Sequence, residues 1–419
     1  MTTKNIYQEF KIKAERVYSS LLIEIDNSRI IYMGGTSAAG EAEFISRIYT
    51  SVIFVDDRKA GSTLHGKNII STQELAKNIS KNDFLIINCL TPAGFNHFSR
   101  QAASLGISHC SITEVLSAHH KNGMIMSFSG LTSVYGPAFH IHTLKNLGHY
   151  ELLRNVFVDA LSIRTFDNLI KYRLSGDPSF LQSVAIGHNY GKIQHDSYIL
   201  NSQFFNLSKD EVFIDAGALD GSSSKYFIES VDGDFEKIVM FEPSSESAQK
   251  CYQTIEELDK KFPSKKIKEK TFIVEAGLYD RKGVLPISLS LFDQDVTNTH
   301  GAMPQSAHFI ETGFSNAFIE KGNEYNVINV PITTLDDYIG EKPVSFIKFE
   351  IEGSEVAALQ GATKTIVKNK PKLALSIYHR PQDLEMIINY ISDINIGYNM
   401  ALRAHNPFCP DAIVLYCWI

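Results

Sequence analysis

Residues 211–221, EVFIDAGALDG, combine a short apolar run with two glycines. Three apolar residues precede Asp215, and Gly217 and Gly221 follow it. An apolar run bounded by glycine is typical of a buried parallel strand that enters a tight turn. The serines from Ser222 onward are suited to cap a helix, so the stretch predicts a strand, a glycine turn and a helix N-terminus. Because glycine has no Cβ, a ligand can approach the backbone closely at such a turn.

The spacing of acid and glycines indicates which ligand suits this turn. A dinucleotide fingerprint has the pattern G-x-G-x-x-G, whereas this turn has D-x-G-x-x-x-G, with an acid on the strand. That acid, Asp215, suits the ammonium of an amino acid better than it suits a diphosphate. The next strand ends in Glu242 and Pro243, and a carboxylate at this position can accept both hydroxyls of a ribose. An amino acid joined to a nucleoside without phosphate is S-adenosylmethionine, which we predict as the cofactor.

Six blocks of sequence occur in a recognisable order along the second part of the chain: EVFIDAGALDG (211–221), MFEPS (240–244), VPITTLDDYIG (330–340), FIKFEIEGSEVAALQGA (346–362), LALSIYHRPQDL (373–384) and DAIVLYC (411–417). On these blocks, the chain from about Val156 to Ile419 resembles the FkbM family of S-adenosylmethionine-dependent methyltransferases. Two departures are visible: the family usually has aspartate where Glu350 stands, and its final arginine-rich strand is only partly present around Arg403. The resemblance implies a class I methyltransferase sheet of seven strands, the last one antiparallel. It also implies O-methylation, often of sugars in glycans or of secondary metabolites.

The length, charge and composition of the chain limit the classes of protein to which it can belong. A length of 419 residues is sufficient for two domains, each with its own core. The formal net charge is −7 and no Lys/Arg stripe is visible, so we predict no nucleic-acid partner. No apolar run reaches the roughly 20 residues that span a bilayer, and we predict no membrane span. Five scattered cysteines without metal or redox spacing favour the cytoplasm.

The first part of the chain contains a second strand–glycine–helix unit. Its glycines are Gly34, Gly35 and Gly40, and Asp56 follows the next apolar run. Alternating strands and helices predict a small parallel sheet covered on both faces. It resembles the Rossmann-like domains found beside many sugar-modifying enzymes. The turn lacks the middle glycine that brings backbone onto a pyrophosphate, which favours a packing or partner role. The alternative is an oxidoreductase or epimerase that binds a nucleotide sugar, with Asp56 on a ribose.

The fold prediction is therefore α/β, with two Rossmann-like domains joined by a helical linker. His140 and His142 have a spacing that places them together on a strand, but no acid or cysteine is near them, so we predict no metal site. The predicted segments are an N-terminal helical segment (1–27), a Rossmann-like domain (28–118), a linker region (119–205) and a methyltransferase domain (206–419).

The catalytic candidates follow the fourth and fifth strands of the second domain. His379 is the predicted general base, since imidazole titrates near neutrality. Glu350 and Glu352 are predicted to orient the acceptor or the histidine, and Lys348 shares their face by alternation. The alternatives are a histidine that fixes the turn at Pro381 and an acid pair that opens a helix.

Two further regions are predicted to border the ligands. Ala276, Gly277 and Leu278, at the end of the third strand, are candidates for the adenine. The polar stretch from Ser290 to Asn326, with Asn298, His300, Phe314 and Tyr325, reads as an active-site lid or a mobile loop. We predict a small-molecule or glycan acceptor, with a sugar hydroxyl preferred. A binding protein that retains the cofactor fold without catalysis is the remaining alternative.

Overall fold

The computed structural model describes residues 7–36, 39–89, 91–121, 137–186, 204–289, 307–309, 326–407 and 412–419. The chain divides into two compact units. The first comprises Met1–Asn155, Ile163–Ala185 and Asn406–Pro410, and the second comprises Val156–Ser162, Ile186–His405 and Asp411–Ile419. Among the described residues, no helix has the length and apolar character needed to cross a membrane.

The first unit contains a six-stranded sheet with the order β3-β4-β2-β1-β5-β6. Strands β1, β2, β5 and β6 pair in parallel, as the predicted small parallel sheet requires, and a short hairpin, β3 and β4, extends the edge beside β2. The strands are β1 (Ile31–Gly34), β2 (Val52–Val55), β3 (Thr63–Leu64), β4 (Lys67–Ile70), β5 (Phe84–Ile87) and β6 (Ser108–Ser111). The helices before and between them are α1 (Gln8–Ser19), α2 (Leu21–Asp26), α3 (Ala39–Ile48), α4 (Thr72–Asn78), α5 (Pro92–Leu105) and α6 (Ile112–Lys121).

Alternate residues of these strands enter two apolar clusters. Met33 and Ile86 belong to the cluster that includes Val17 and Leu21 of the N-terminal helices, whereas Tyr32 and its neighbours on the other face belong to the second cluster. A strand buried on both faces needs apolar residues at every position, which explains the continuous runs in the sequence.

A group of helices lies between the two sheets in the sequence. The helices are α7 (Pro137–Lys145), α8 (Leu147–Leu153), a 3₁₀ turn (Arg154–Val156), α9 (Ala160–Ser175) and α10 (Ser179–Gln182). The compact units are divided differently from the predicted segments. The hydroxyl of Tyr7 donates to Asp167 at 2.8 Å, and that of Tyr18 lies 2.6 Å from Nδ1 of His140. These contacts join the N-terminal segment to two helices of the predicted linker, and all four residues belong to the first unit.

The second unit contains the predicted seven-stranded sheet, with the order β16-β17-β15-β14-β7-β8-β9. β17 is antiparallel to both of its neighbours, and the other described strand pairs of this sheet are parallel. This arrangement confirms the predicted fold class. The strands are β7 (Val212–Ala216), β8 (Lys237–Phe241) and β9 (Thr271–Val274), then β14 (Phe346–Phe349), β15 (Lys372–Ser376), β16 (Asn399–Ala404) and β17 (Ile413–Trp418). The helices are α11 (Ser222–Ser230), α12 (Ser245–Lys261), α13 (Ile267–Lys270), α14 (Leu335–Ile339), α15 (Glu355–Gln360), α16 (Thr363–Asn369) and α17 (Asp383–Asp393).

A second, four-stranded sheet is inserted between β9 and β14 and has the order β10-β13-β11-β12. The sequence did not predict this sheet. Its strands are β10 (Gly277–Leu278), β11 (Gly283–Leu289), β12 (Ala307–Phe309) and β13 (Asn326–Thr333). Most of the stretch predicted as a lid, including Asn298, His300, Phe314 and Tyr325, lies outside the described residues.

Candidate active site

The turn after β7 has the geometry that the sequence predicted. Gly217 has φ +77°, and a Cβ there would lie 1.7 Å from the backbone oxygen of Glu350. Gly221 has φ +81° and is the N-cap residue of α11, without a side-chain cap. The predicted serine cap is therefore wrong, because the left-handed Gly221 occupies the cap position. Ser222 instead donates its backbone N–H to Asp220 Oδ1 at 3.0 Å.

Asp215 is fully buried on β7, and both of its carboxylate oxygens have partners. Lys348 Nζ donates to Oδ1 at 2.9 Å and to the backbone oxygen of Gly217 at 2.8 Å, while Ser224 Oγ donates to Oδ2 at 2.7 Å. The parallel register of β7 and β14 places Lys348 directly opposite Asp215. Alternation along β14 had suggested Glu350 or Glu352 as partners for this lysine. Alternation describes the faces of one strand only and does not predict which residue of the neighbouring strand lies opposite. The negative charge of Asp215 is thus compensated within the protein.

Glu242 directly follows β8 and is 5% exposed. Its Oε2 accepts the backbone N–H of Leu219 in the glycine turn at 2.9 Å, and its Oε1 accepts the N–H of Ser244 at 2.9 Å. Burial raises the pKa of this carboxyl to about 7, although the two backbone hydrogen bonds oppose the shift. Each oxygen keeps a second lone pair for another donor. The neighbouring Pro243 is half-buried.

The residues predicted to border adenine begin the four-stranded sheet. Gly277 and Leu278 form β10 and pair with Ile332 and Thr333 of β13. Ala276 and Leu278 are buried. The structure thus places them directly after β9, as expected from the sequence, and their role toward adenine remains a prediction.

His379 lies among three carboxylates. Its Nε2 is 3.4 Å from Glu350 Oε1 and 3.4 Å from Glu352 Oε2, and its Nδ1 is 3.0 Å from Glu355 Oε1. The imidazole is 7% exposed, whereas the side chains of Glu350 and Glu352 are 21% and 27% exposed. The structure therefore brings together the three predicted catalytic residues at the ends of β14 and β15. Nε2 faces the more exposed carboxylates and Nδ1 faces a fully buried one.

Neighbouring elements hold these side chains in place. Ser376 Oγ donates to Glu350 Oε2 at 2.8 Å, and the hydroxyl of Tyr378 donates to Oε1 of the same residue. Glu352 has φ +56°, a left-handed conformation that turns the chain between β14 and α15. This turn allows Glu350 and Glu352 to approach one imidazole nitrogen although β14 ends at Phe349.

The charges in this cluster shift several pKa values. Burial lowers the pKa of His379, but the charges of Glu355 and Glu352 and the contact with Glu350 outweigh it and raise the pKa well above its usual value. Burial raises the pKa of Glu355, yet His379 outweighs it and lowers that pKa. Burial and the charge of Glu355 raise the pKa of Asp383 to about 7.

Two buried acids of this cluster were missed from the sequence. Glu355 is the first residue of α15 and Asp383 is the first residue of α17. The signal was present as spacing, since Glu355 stands three residues after Glu352 and Asp383 stands four residues after His379. Both positions read more simply as acids in the first turn of a helix.

Two buried histidines of the first unit, His119 and His140, each lie beside a tyrosine hydroxyl. His140 and His142 lie on helix α7 rather than on a strand, so their predicted common face is wrong. His140 is fully buried, and burial lowers its pKa to about 4. Nε2 of His119 lies 2.8 Å from the hydroxyl of Tyr49.

The glycine turn of the first unit is explained by packing. A Cβ on Gly35, which has φ +94°, would lie 2.5 Å from the backbone oxygen of Asn88. Asp56, the candidate ribose ligand, accepts from Thr36 Oγ1 at 2.5 Å and from the backbone N–H of Arg58 at 3.0 Å. These contacts support the packing interpretation of this turn.

The parallel strands β7, β8, β14 and β15 end at the same edge of the second sheet, and Glu242 and the His379 cluster follow three of them. This edge is the usual ligand site of an open α/β sheet. Residues 215–400 match the family model described as the methyltransferase FkbM domain. The chain carries an FkbM methyltransferase domain. The match extends from β7 to the beginning of β16, so β17 completes the sheet beyond it.

One solved structure has a similar fold over almost the whole chain. The crystal structure of methyltransferase FkbM from Methylobacillus flagellatus KT is similar with a TM-score of 0.68 and 22% identity, over 99% of each chain. An rRNA methylase from Streptococcus thermophilus covers 55% of this chain and 97% of its own, with 14% identity and a TM-score of 0.30. No curated protein matches the chain. The second unit thus contains a methyltransferase FkbM domain at residues 215–400 and has a seven-stranded sheet in which β17 is antiparallel to its neighbours.

Proposed function

We propose that the FkbM domain binds S-adenosylmethionine and transfers its methyl group to a hydroxyl oxygen of a sugar or glycan precursor. Methyl transfer is an in-line displacement from a sulfonium that is already activated. The protein must therefore position donor and acceptor and receive the proton of the hydroxyl. The observation that carries the proposal is a histidine–carboxylate cluster at the same sheet edge as a buried carboxylate suited to ribose.

Glu242 is the proposed ribose ligand. Its carboxylate is fixed by two backbone N–H groups, so its remaining lone pairs are preorganised for two adjacent hydroxyls. The site for the amino acid part of S-adenosylmethionine is proposed to be formed by Asp215, Gly217 and Gly221. Because Lys348 already neutralises Asp215, we assign Asp215 to the construction of the turn as well as to cofactor binding.

The proton of the acceptor is proposed to pass to the group formed by His379, Glu350 and Glu352. On the more exposed side of the ring, Nε2 lies 3.4 Å from Oε1 of Glu350 and 3.4 Å from Oε2 of Glu352. The preference for a sugar rests on the resemblance of the first unit to domains that accompany sugar-modifying enzymes, which is analogy. The described cysteines are all free thiols, which supports a reducing compartment such as the cytoplasm.

The test uses S-adenosylmethionine labelled with ¹³C in its methyl group. The purified chain is incubated with a panel of nucleotide sugars and free sugars, and the product is read by NMR, because O-, N- and S-methyl carbons have distinct chemical shifts. We expect an O-methyl signal with at least one sugar and its loss in His379→Ala. An N- or S-methyl product would refute O-methylation and leave methyl transfer intact. Absence of S-adenosylhomocysteine binding by folded protein in calorimetry would refute the cofactor assignment.

A further inference from the structure

Three potential metal ligands converge on the Nδ1 side of the His379 ring. They are Nδ1 itself and carboxylate oxygens of Glu355 and Asp383, and the three ligand atoms lie within 4.8 Å of one another. Glu355 is fully buried and Asp383 is 1% exposed. The proposed proton-accepting side of the ring, at Nε2, faces Glu350 and Glu352 instead. The two sides of one imidazole therefore have different surroundings.

Two atoms of this group have unused bonding capacity. Among the described residues, Nδ1 of His379 and Oε2 of Glu355 are buried atoms without a hydrogen-bond partner. Oε1 of Glu355 lies 3.0 Å from Nδ1, but the pair does not have hydrogen-bond geometry. Oε1 also accepts the backbone N–H of Ile351 at 2.9 Å, and Asp383 Oδ2 accepts that of Arg380 at 2.6 Å. Buried polar atoms are rarely left unsatisfied in proteins, and each one costs about 1–3 kcal/mol.

We propose that a divalent transition-metal ion binds between Nδ1 of His379 and the carboxylates of Glu355 and Asp383. A single bound cation can accept a lone pair from Nδ1 of His379 and another from the carboxylate of Glu355. A hydrogen bond between the ring and the carboxylate would not satisfy both, because the pair does not have hydrogen-bond geometry. One imidazole with two carboxylates suits Mn²⁺ or Zn²⁺, whereas Mg²⁺ prefers oxygen ligands alone. The sequence analysis predicted no metal, because neither acid had been recognised.

The position of the ion gives it a structural role. Glu355 begins α15 after β14, and Asp383 begins α17 after β15, so the ion links the segments that follow two adjacent strands. Glu350 and Glu352 belong to the first of these segments. The ion therefore fixes the position of the imidazole ring relative to Glu350 and Glu352 and leaves Nε2 free of metal. The proposal concerns metal binding alone and does not depend on the identity of the acceptor.

The test measures metal content and needs no substrate. The full chain, purified without a histidine tag, is stripped with chelator, reloaded with Mn²⁺ or Zn²⁺, dialysed and analysed by elemental mass spectrometry. We expect one ion per chain and a rise in melting temperature of about 5 °C at saturating metal. Glu355→Gln and Asp383→Asn should each weaken binding by about 10-fold or more. Asp393→Asn, at the exposed C-terminal end of the same helix as Asp383, should bind like the wild type.

Each result decides the proposal. A wild-type chain that keeps no ion after reloading, with an unchanged melting temperature, would overturn it. Equal binding by the wild type, Glu355→Gln and Asp383→Asn would also overturn it, because the ion would then be held elsewhere. If the variants fold poorly, Co²⁺ absorption of the wild type decides: mixed nitrogen and oxygen ligation supports the site, and the spectrum of hydrated Co²⁺ refutes it.

Discussion

Replacement of Glu242 by glutamine should weaken the binding of S-adenosylhomocysteine and remove most of its pH dependence. In the wild type, both oxygens of Glu242 accept backbone N–H groups at 2.9 Å. Glutamine has the same size but only one oxygen, so its NH₂ group must face one of these N–H groups. The ribose also loses an ionised acceptor. A hydrogen bond to a charged group contributes about 1.5–3 kcal/mol, which corresponds to roughly 10- to 150-fold in dissociation constant at pH 8.

The pH dependence follows from the raised pKa of Glu242, about 7. The wild type should bind roughly tenfold more weakly at pH 6 than at pH 8, because most of the carboxyl is protonated at the lower pH. Stability changes in the opposite direction. A carboxyl whose pKa rises from 4.5 to about 7 on folding stabilises the protein below pH 4.5 and loses that contribution as the pH rises through 7. The loss amounts to about 3 kcal/mol for a shift of this size.

Calorimetric titrations at pH 6, 7 and 8, in buffers of different ionisation enthalpy, measure both the affinity and the number of protons released. Urea unfolding of the ligand-free protein at the same pH values measures stability. We expect affinity to rise and stability to fall with pH in the wild type, and both trends to flatten in Glu242→Gln. Identical affinities for the two proteins at pH 8, or a wild-type affinity that does not change between pH 6 and 8, would refute the assignment.

Three further predictions concern stability, each measured by urea unfolding against a matched control. Gly217→Ala should cost more than about 3 kcal/mol, since its Cβ would lie 1.7 Å from a backbone oxygen. The control Gly106→Ala, at φ +66° and ψ +32° in open space, should cost about 1 kcal/mol. Lys348→Met should cost about 3–5 kcal/mol because it leaves its buried carboxylate partner uncompensated; Lys250→Met, in an exposed pair, should cost less than about 0.5 kcal/mol. Equal costs within either pair would contradict the packing or the charge argument. Removal of residues 413–419 should abolish cooperative unfolding of the second unit, because β15 and β16 both pair with the lost strand; removal of the last residue alone should not. A folded truncated chain would contradict the central position of β17.

The sequence was sufficient for the parallel strands of the six-stranded and seven-stranded sheets. Strands such as β7 and β14 are buried on both faces and therefore appear as uninterrupted apolar runs. The antiparallel insertion of β17 came from the family resemblance and not from periodicity. The β3–β4 hairpin and the four-stranded sheet were missed because their strands are short or partly exposed. In addition, β11 contains Pro286, a residue that argues against a strand in a sequence. Such strands leave no clear period in the sequence.

The positions of the candidate site were predictable, but their partners were not. Asp215, Glu242 and His379 follow or end apolar runs, and the parallel topology places such positions at one edge. The pairing of Asp215 with Lys348, 133 residues away, depends on the register between two strands that the sequence does not encode locally. Glu355 was missed because an acid in the first turn of a helix has a simpler explanation than contact with a histidine.

The junction between β7 and β14 has a consequence for folding. β7, β8 and β9 follow one another along the chain before the four-stranded sheet, and β14 to β17 follow it. In the order of the seven described strands, the two groups pair with each other between β7 and β14. Before they meet, each group presents an open strand edge that can pair with another molecule. Asp215 lies on one edge and Lys348 lies opposite on the other. Two copies of the same edge would bring like charges together, whereas the correct partners bring opposite charges together. We therefore expect this buried ion pair to direct association during folding, and Lys348→Met to form more aggregate on refolding.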